Sequence, residues 1–160
     1  LILKDYFHKN KSEKFHKYTD TLLYLAARNE HIQNKILKAK ITKKILICDR
    51  FIDSTIAYQV YGKKVEFKLI ETIHKYILQK IKPDITFLLK VKANKASSRL
   101  KKRKTKNRYD KFSKIFYQKA QKAFIKLAKK NKKRYFIFDN STDGKELEKK
   151  ILNIVLSKLK

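Results

Sequence analysis

The segment ICDRFIDSTIAYQ, residues 47–59, places an acid, a base, hydroxyl groups and an amide directly after a short apolar run. Asp49 and Arg50 stand at the end of that run. An arginine at such a point can hold a phosphate group through two parallel hydrogen bonds, and a neighbouring carboxylate can organise the shell of a Mg²⁺ ion. The structural alternative is an ion pair that only stabilises the start of a helix.

The polar side chains that follow have helical spacing. Ser54 and Tyr58 are four residues apart, and so are Thr55 and Gln59. Each pair therefore shares one face of a helix. This arrangement places donors, acceptors and one aromatic ring beside an arginine able to hold phosphate, which is a set that suits a nucleotide.

A second polar pair stands in LLYLAARNEH, residues 22–31, where Tyr24 and Arg28 are four residues apart. An aromatic ring next to a guanidinium group can stack on a base while the arginine binds the polar edge of the base or its phosphate. A core tyrosine followed by a surface arginine is the alternative.

A third set lies in SRLKKRKTKNRYDKF, residues 98–112. Arg99 and Arg103 share a helix face, and Arg108 follows in a polar stretch. A loop that carries arginines can neutralise charge on a phosphoryl group during transfer, whereas the alternative is a basic segment that is only solvated. The four histidines have no metal-ligand spacing, and we assign them no role.

The apolar pattern predicts strands that alternate with helices. The predicted strands are 43–49, 83–91 and 134–140. The predicted helices run from Thr19 or Asp20 to about Lys40, from just after residue 51, and over 65–81, 95–104, 110–131 and 144–158. Such alternation indicates parallel βαβ units and an α/β fold. Ligands bind beyond the carboxyl ends of strands in these folds, and Asp49 and Arg50 lie at such an end.

Composition limits the remaining possibilities. The chain has 160 residues, which suits one domain, and a formal net charge of +29. Lysines occur along the whole chain, so we interpret the charge as solvated faces rather than as a nucleic-acid interface. No apolar run approaches the roughly 20 residues of a membrane span. The one cysteine, Cys48, excludes an internal disulfide, fits a reducing compartment and is expected to be a packed thiol.

Four segments together resemble the thymidylate kinases, which are nucleoside monophosphate kinases of the P-loop class. They are LLYLAAR, ICDRFIDSTIAYQVYG, KPDITFLLKV and the stretch from RLKKR to NRYD, in the order of that family, and the resemblance covers essentially the whole chain. It implies a three-layer α/β fold with a parallel sheet, here without its first two strands. It also implies a single domain, 1–160, whose lid is about 98–112.

The activity implied by this resemblance is transfer of the γ-phosphoryl group of ATP to dTMP, which gives dTDP, with Mg²⁺ as cofactor. The resemblance further implies a cytoplasmic enzyme that is a homodimer when full length. By resemblance, Arg50 holds the dTMP phosphate and Asp49 acts near the Mg²⁺ ion, either directly or through water. Tyr58 fills the space that a ribose 2′-hydroxyl would need.

The rest of the acceptor pocket is assigned in the same way. Tyr24 takes the place of the aromatic residue that stacks on thymine, and Arg28 contacts the edge of the base. Ser54 and Thr55 line the pocket, and Gln59 completes it. The resemblance assigns three arginines to the lid, namely Arg99, Arg103 and Arg108, with catalytic roles for the last two.

The chain departs from the family pattern at several points. Lys90 stands where an acid is usual, Asn107 replaces an Asp, and Asp110 replaces a Glu. The phosphate-binding G-x-x-x-x-G-K-[ST] loop does not occur in the sequence, and we expect it upstream, because the chain begins at Leu1 and contains no Met.

Two expectations follow for the fold and for controls. The strand that should lie between 44–49 and 85–91 is the one expected upstream, so these two segments should not pair with each other. Lys63 is expected to be a solvated lysine whose replacement matters little.

Two other functions remain as alternatives to a thymidylate kinase. One is a deoxynucleoside kinase, which would need a carboxylate as general base for a 5′-hydroxyl, and the other is a basic nucleic-acid-binding protein.

Overall fold

The computed structural model describes residues 15–92, 95–96, 98–99, 113–140 and 144–159. These residues form two compact units. The first contains the described residues up to Lys82 together with 113–124, and the second contains those from Pro83 to Arg99 together with 125–159. None of the helices in these ranges is long and apolar enough to cross a membrane.

The first unit begins with helix α1, Lys17–His31, which continues through a π-helical stretch, Ile32–Ile36, into α2, Leu37–Ile41. The predicted long helix is therefore confirmed, but its predicted cap is wrong. His16 caps the helix, because its ring accepts the N–H of Tyr18 at 3.5 Å. Asp20 cannot act as the cap because it lies inside the first turn, fully buried.

Asp20 instead forms an ion pair with Lys63. The Asp20 side chain is 0% exposed and that of Lys63 is 13% exposed. The expectation that Lys63 is solvated is therefore wrong. Removal of one partner from a buried pair leaves the other charge uncompensated, which typically costs about 3–5 kcal/mol. The pair ties the first turn of α1 to the chain just after Gly62 and contributes to the fold.

The predicted strand at 43–49 is also wrong. Residues 44–48 carry no strand assignment, and the side chains of Ile45, Leu46 and Ile47 are exposed. A strand needs a neighbour to accept and donate its backbone hydrogen bonds, and the two described strands pair with each other. The β-branched composition favours a strand, but the pairing that makes one depends on a partner.

Two short helical turns and one longer helix complete this unit. Helix α3, Ile52–Thr55, passes directly into a second π-helical stretch, Ile56–Gly62, and α4 runs from Phe67 to Leu78. Leu25 of α1 packs with Val65 and Ile70 in one core cluster. A second cluster joins Ile32, Ile36 and Ile81. The predicted helix over 65–81 is confirmed with shorter ends.

The second unit contains a two-stranded parallel sheet. Strand β1, Thr86–Lys90, pairs with β2, Tyr135–Asp139, in a register that sets Thr86 opposite Tyr135. Helix α5, Lys114–Lys130, leads into β2, and α6, Lys145–Leu159, follows it. The predicted α/β class and parallel pairing are confirmed. The predicted separation of segments 44–49 and 85–91 stays a prediction.

Five residues with side chains adopt a left-handed backbone conformation that usually favours glycine. Lys43, Arg50, Lys64, Gln79 and Lys80 all have positive φ angles between 45° and 71°. The chain has only two glycines, and neither lies at such a position. A left-handed residue with a side chain costs roughly 1–2 kcal/mol. Gln79 and Lys80 follow the last turn of α4, where glycine commonly ends a helix. Arg50 has no such explanation.

His74 of α4 is buried, although no histidine spacing indicated a role for it. The pKa of His74 is lowered from 6.5 to about 4, mainly by burial and in smaller part by the nearby charge of Arg28, while Asp53 opposes the shift. The folded protein therefore keeps His74 neutral at pH values where the unfolded chain protonates it. This difference lowers stability as the pH falls from 7 towards 4.

We predict that His74→Gln flattens this pH dependence. Wild-type protein should lose about 2 kcal/mol of unfolding free energy through His74 between pH 7 and pH 5. Urea denaturation at both pH values measures this loss. Lys75→Gln on the same helix is the control, since lysine does not titrate in this range. Equal losses in wild type and His74→Gln would show that His74 is not the titrating group.

Candidate active site

Arg50 follows residues 44–48, which carry no regular secondary structure, and has a left-handed backbone with φ 67°. Its guanidinium Nη1 donates to the hydroxyl of Tyr58 at 2.8 Å, and its Cζ lies 5.3 Å from the centre of the Tyr58 ring. Arginine carries five N–H donors, so one bond to Tyr58 leaves capacity for a phosphate. The residue is exposed, which makes it accessible to a ligand from solvent.

Arg28 holds the backbone that shapes Arg50. Its Nη1 donates to the carbonyl of Arg50 at 3.3 Å, and its Nη2 donates to the carbonyl of Phe51 at 3.0 Å and to Thr55 Oγ1 at 3.4 Å. The guanidinium also lies 4.9 Å from the centre of the Phe51 ring. Burial lowers the pKa of Arg28, because its charge loses hydration. These contacts explain how an unfavourable φ at Arg50 is maintained.

Cys48 adds a further contact to the same backbone. Its thiol donates to the carbonyl of Arg50 across 3.5 Å. Burial raises the pKa of the Cys48 thiol, so at neutral pH it stays protonated. The expectation of a packed, unreactive thiol is met in part, since Cys48 is half-buried and does not belong to a strand.

Polar side chains fill the helix that follows Arg50. Asp53, Ser54 and Thr55 are buried in succession, and Gln59 is 3% exposed. Residues four apart were predicted to share one face of an α-helix, but residues 56–62 are π-helical, so this spacing places them on one face only approximately. The N–H of Lys63, for example, donates to the carbonyl of Tyr58, five residues earlier, at 2.9 Å. A π-helix has a wider turn than an α-helix. Thr55 and Gln59 are both buried, whereas Tyr58 is half-buried.

Helix α5 supplies an aromatic wall behind Tyr58. The ring of Phe116 stacks on Tyr58 at 5.8 Å between centres with an angle of 19°, and Phe124 meets Tyr58 edge-on at 5.9 Å. Gly62 lies against Phe116 so closely that a methyl group there would overlap the ring. No periodicity argument indicated these partners, since α5 is distant from Tyr58 in the sequence.

Asp49 is an exposed carboxylate beside Arg50. The described residues contain no group of three or more His, Cys, Asp or Glu side chains that could hold a metal ion by themselves. Mg²⁺ commonly binds through one or two carboxylates together with substrate phosphates and water. A single exposed Asp next to an exposed arginine fits that mode of binding, and it does not fit an all-protein cage.

The other predicted site residues have different outcomes. Tyr24 is half-buried on α1, one turn before Arg28. Arg99 belongs to the second unit, where its Nη2 donates to the carbonyl of Asn140 at 3.1 Å. Arg103 and Arg108 lie outside the described residues. The structure thus brings together Arg28, Arg50, Thr55 and Tyr58, and the lid stays a prediction.

Comparison with known proteins decides the family. The family model described as thymidylate kinase matches residues 2–151. The chain belongs to the thymidylate kinase family. Thymidylate kinase from Mycoplasma capricolum is 34% identical over 154 residues, which cover 94% of this chain and 72% of that protein. The enzyme from the Wolbachia of Culex pipiens is 38% identical over 144 residues, which cover 89% of this chain and 68% of that protein.

A solved structure supports the same conclusion for the fold. The crystal structure of thymidylate kinase from Ehrlichia chaffeensis superposes with a TM-score of 0.67 at 29% identity, and the match covers 89% of this chain and 64% of that one. The chain therefore spans about two thirds of the length of these three proteins. Membership of a kinase family confirms the predicted α/β kinase fold and phosphotransferase class.

Reasoning from the sequence did not predict the backbone contacts of Arg28. The structure shows its hydrogen bonds to the carbonyls of Arg50 and Phe51, and the contact to the base edge that the thymidylate kinase resemblance implied stays a prediction. Reasoning from the sequence also missed Phe51 and Phe116 as partners of the site. For Phe51 a signal existed, because it directly follows Arg50. The signal for Phe116 was only its place on the apolar face of α5.

We predict that Arg28→Lys lowers the unfolding free energy by about 1–3 kcal/mol, because a lysine cannot replace a planar fork that bonds two carbonyls and a hydroxyl. Chemical denaturation measures the loss. Arg99→Lys, at an exposed arginine of the second unit, is the matched control and should change stability by less than about 0.5 kcal/mol. Equal effects of the two substitutions would contradict a clamp at Arg28.

Proposed function

We propose that the protein containing this chain transfers the γ-phosphoryl group of ATP to dTMP, and that the first unit supplies the dTMP site. The observation that supports this most directly is the position of Arg50. It is exposed, has an unfavourable backbone conformation and is held there by the half-buried Arg28. Strain of this kind at an arginine is typical of a binding or catalytic position.

Phosphate binding is the role that the geometry of Arg50 favours. The bond from Nη1 to Tyr58 fixes one edge of the guanidinium, and the exposed remainder can form charge-assisted bonds to phosphate oxygens. Asp49, next in the chain, would help to hold Mg²⁺ together with the phosphates of the nucleotides. When bound, Mg²⁺ neutralises charge that develops on these phosphates.

The remaining acceptor residues are assigned by proximity to this arginine. Thr55 is hydrogen-bonded to Arg28 and buried, and Gln59 is buried one helical turn later. With Ser54 and Tyr24 they would line the pocket for the thymine base. Tyr58, packed on its outer side by aromatic rings, would stand where a ribose 2′-hydroxyl would go. The pocket would then prefer the deoxyribonucleotide.

The donor side of the proposed reaction involves residues that the structure does not describe. Arg103 and Arg108, together with Arg99, would close over ATP and neutralise the phosphoryl group in transfer. We further propose that the protein acts in the cytoplasm, consistent with a single protonated thiol, and that it forms a homodimer when full length.

Arg50→Ala should weaken dTMP binding about 10- to 100-fold, because it removes charge-assisted bonds to the phosphate. Isothermal titration calorimetry with dTMP measures the affinity. Lys68→Ala is the control, an exposed lysine on α4, and it replaces Lys63, which the buried ion pair makes unsuitable. Similar affinities of the two variants for dTMP would contradict the assignment of Arg50.

The same titration separates two kinase activities. A deoxynucleoside kinase would bind thymidine at least as well as dTMP, whereas a phosphate-holding Arg50 should favour dTMP. Tyr58→Ala should bring the affinities for dTMP and its ribonucleotide counterpart closer together. An unchanged ratio of these affinities would remove Tyr58 from sugar selection.

One observation favours the nucleic-acid alternative. Helix α5 has six lysines and no acidic residue, whereas the other helices of more than ten residues in the described part contain acids. Lys119, Lys122, Lys126 and Lys129 are exposed on it at spacings of three and four residues. Such a face could follow a phosphate backbone, and the binding would weaken steeply with salt.

We expect the affinity for duplex DNA to depend on the net charge of the protein and not on which lysines carry that charge. The comparison uses one variant with Gln at Lys119, Lys122, Lys126 and Lys129, and a second with Gln at Lys38, Lys40, Lys43 and Lys44, which are equally exposed. Fluorescence anisotropy with a labelled duplex between roughly 50 and 200 mM NaCl should give equal losses. A loss confined to the α5 variant would support a nucleic-acid interface instead.

A further inference from the structure

We propose that Phe116 is a positioning residue for Arg50 and acts through Tyr58. The inference deepens the function proposed above and rests on it for the role of Arg50 in phosphate binding. Its basis is a continuous set of contacts from helix α5 to the guanidinium, all within the first unit.

The first contact joins Arg50 to Tyr58. Arg50 is exposed and long, so its side chain has many rotamers available in solvent. The bond of 2.8 Å from its Nη1 to the Tyr58 hydroxyl selects one of them. The position of the Tyr58 ring therefore determines where the guanidinium is presented to a ligand.

The second contact joins Tyr58 to α5. Tyr58 lies in the π-helical stretch Ile56–Gly62, where hydrogen bonds to the fifth residue permit a wider turn. Its ring is held on one side by the stacked ring of Phe116, which is only 7% exposed, and at another by the edge of Phe124. Aromatic pairs of this kind contribute beyond their buried area. The ring has little freedom while Phe116 stays in place.

Gly62 makes this arrangement possible. It ends the π-helical stretch, and its missing side chain leaves the space that the Phe116 ring occupies. Its φ angle is not positive, so glycine is not required there by the backbone. The close approach to Phe116 is therefore what the glycine permits. Any larger side chain at this position must displace the ring on which Tyr58 stacks.

This path connects two parts of the site that are far apart in sequence. Phe116 follows the predicted lid, 98–112, by four residues, and Arg50 belongs to the acceptor side. A shift of the first turn of α5 would move Phe116, and with it the ring that holds Arg50. The helix that follows the lid segment would thus influence how the acceptor phosphate is held.

The first test needs no ligand. The ¹⁵N–¹H signals of the Arg50 guanidinium, assigned by their loss in Arg50→Lys, report on its contact with Tyr58. We expect Phe116→Leu and Tyr58→Phe to shift these signals and to speed their exchange with water. Phe136→Leu is the matched control, because Phe136 packs against Phe87 in the second unit, and it should leave the signals unchanged.

The second test compares dTMP with thymidine, which lacks the phosphate. Phe116→Leu should weaken dTMP binding by about fivefold or more and thymidine binding by less than about twofold, since roughly 1 kcal/mol of positioning is lost only where Arg50 makes contact. Tyr58→Phe should act in the same way. The double variant should be little weaker than either single variant, because both interrupt one path.

Each outcome has one meaning. Unchanged Arg50 signals in Phe116→Leu would overturn the inference, and so would equal weakening of dTMP and thymidine, which indicates a general structural effect. A third result is possible, in which Phe116→Leu shifts the Arg50 signals but the wild-type protein does not bind dTMP. This result would support the positioning of Arg50 by Phe116 and reject the proposed function. Should Phe116→Leu not fold, Gly62→Ala displaces the same ring and must shift the same signals.

Discussion

The site depends on one interaction, the clamp that the half-buried Arg28 places on the backbone of residues 50 and 51. A left-handed arginine is unfavourable by itself, and three hydrogen bonds from one guanidinium offset that cost. Because the fork of Arg28 is planar and rigid, it also fixes the direction in which the chain enters α3. The orientation of Arg50 and the start of the polar helix both follow from it.

The first unit buries an unusual number of polar side chains for its size. Asp20, Asp53, Ser54, Thr55, Gln59 and His74 are all buried there. Burial of such groups is unfavourable unless each has partners, so their presence ties the stability of the unit to the integrity of the site. The ion pair of Asp20 with Lys63 and the low pKa of His74 are two consequences of this arrangement.

Aromatic packing connects the two chain segments that make up the first unit. Tyr58 comes from the π-helical stretch and Phe116 from α5, and Gly62 allows them to approach. A π-helical turn is rarely adopted without a tertiary reason. Here the wider turn coincides with the residues that reach α5 and Arg50, so packing rather than helix propensity accounts for it.

The sequence by itself determined the helices, two of the strands and the kinase family. Apolar periodicity is a local property, and it predicted the helix that runs from α1 into α2, and also α4, α5 and α6, to within a few residues of their observed ends. The motif around Arg50, together with the three other segments that resemble the family, identified the kinase family, because such a motif is a fixed order of particular residue types.

Only the tertiary structure decided which partners these residues have. The sequence could not show that residues 44–48 remain unpaired, since pairing depends on a neighbouring strand and not on β-propensity. It could not show that Lys63 is buried against Asp20, that Arg28 bonds to a backbone, or that Phe116 supports Tyr58. These contacts join residues distant in the chain, and no local pattern encodes them.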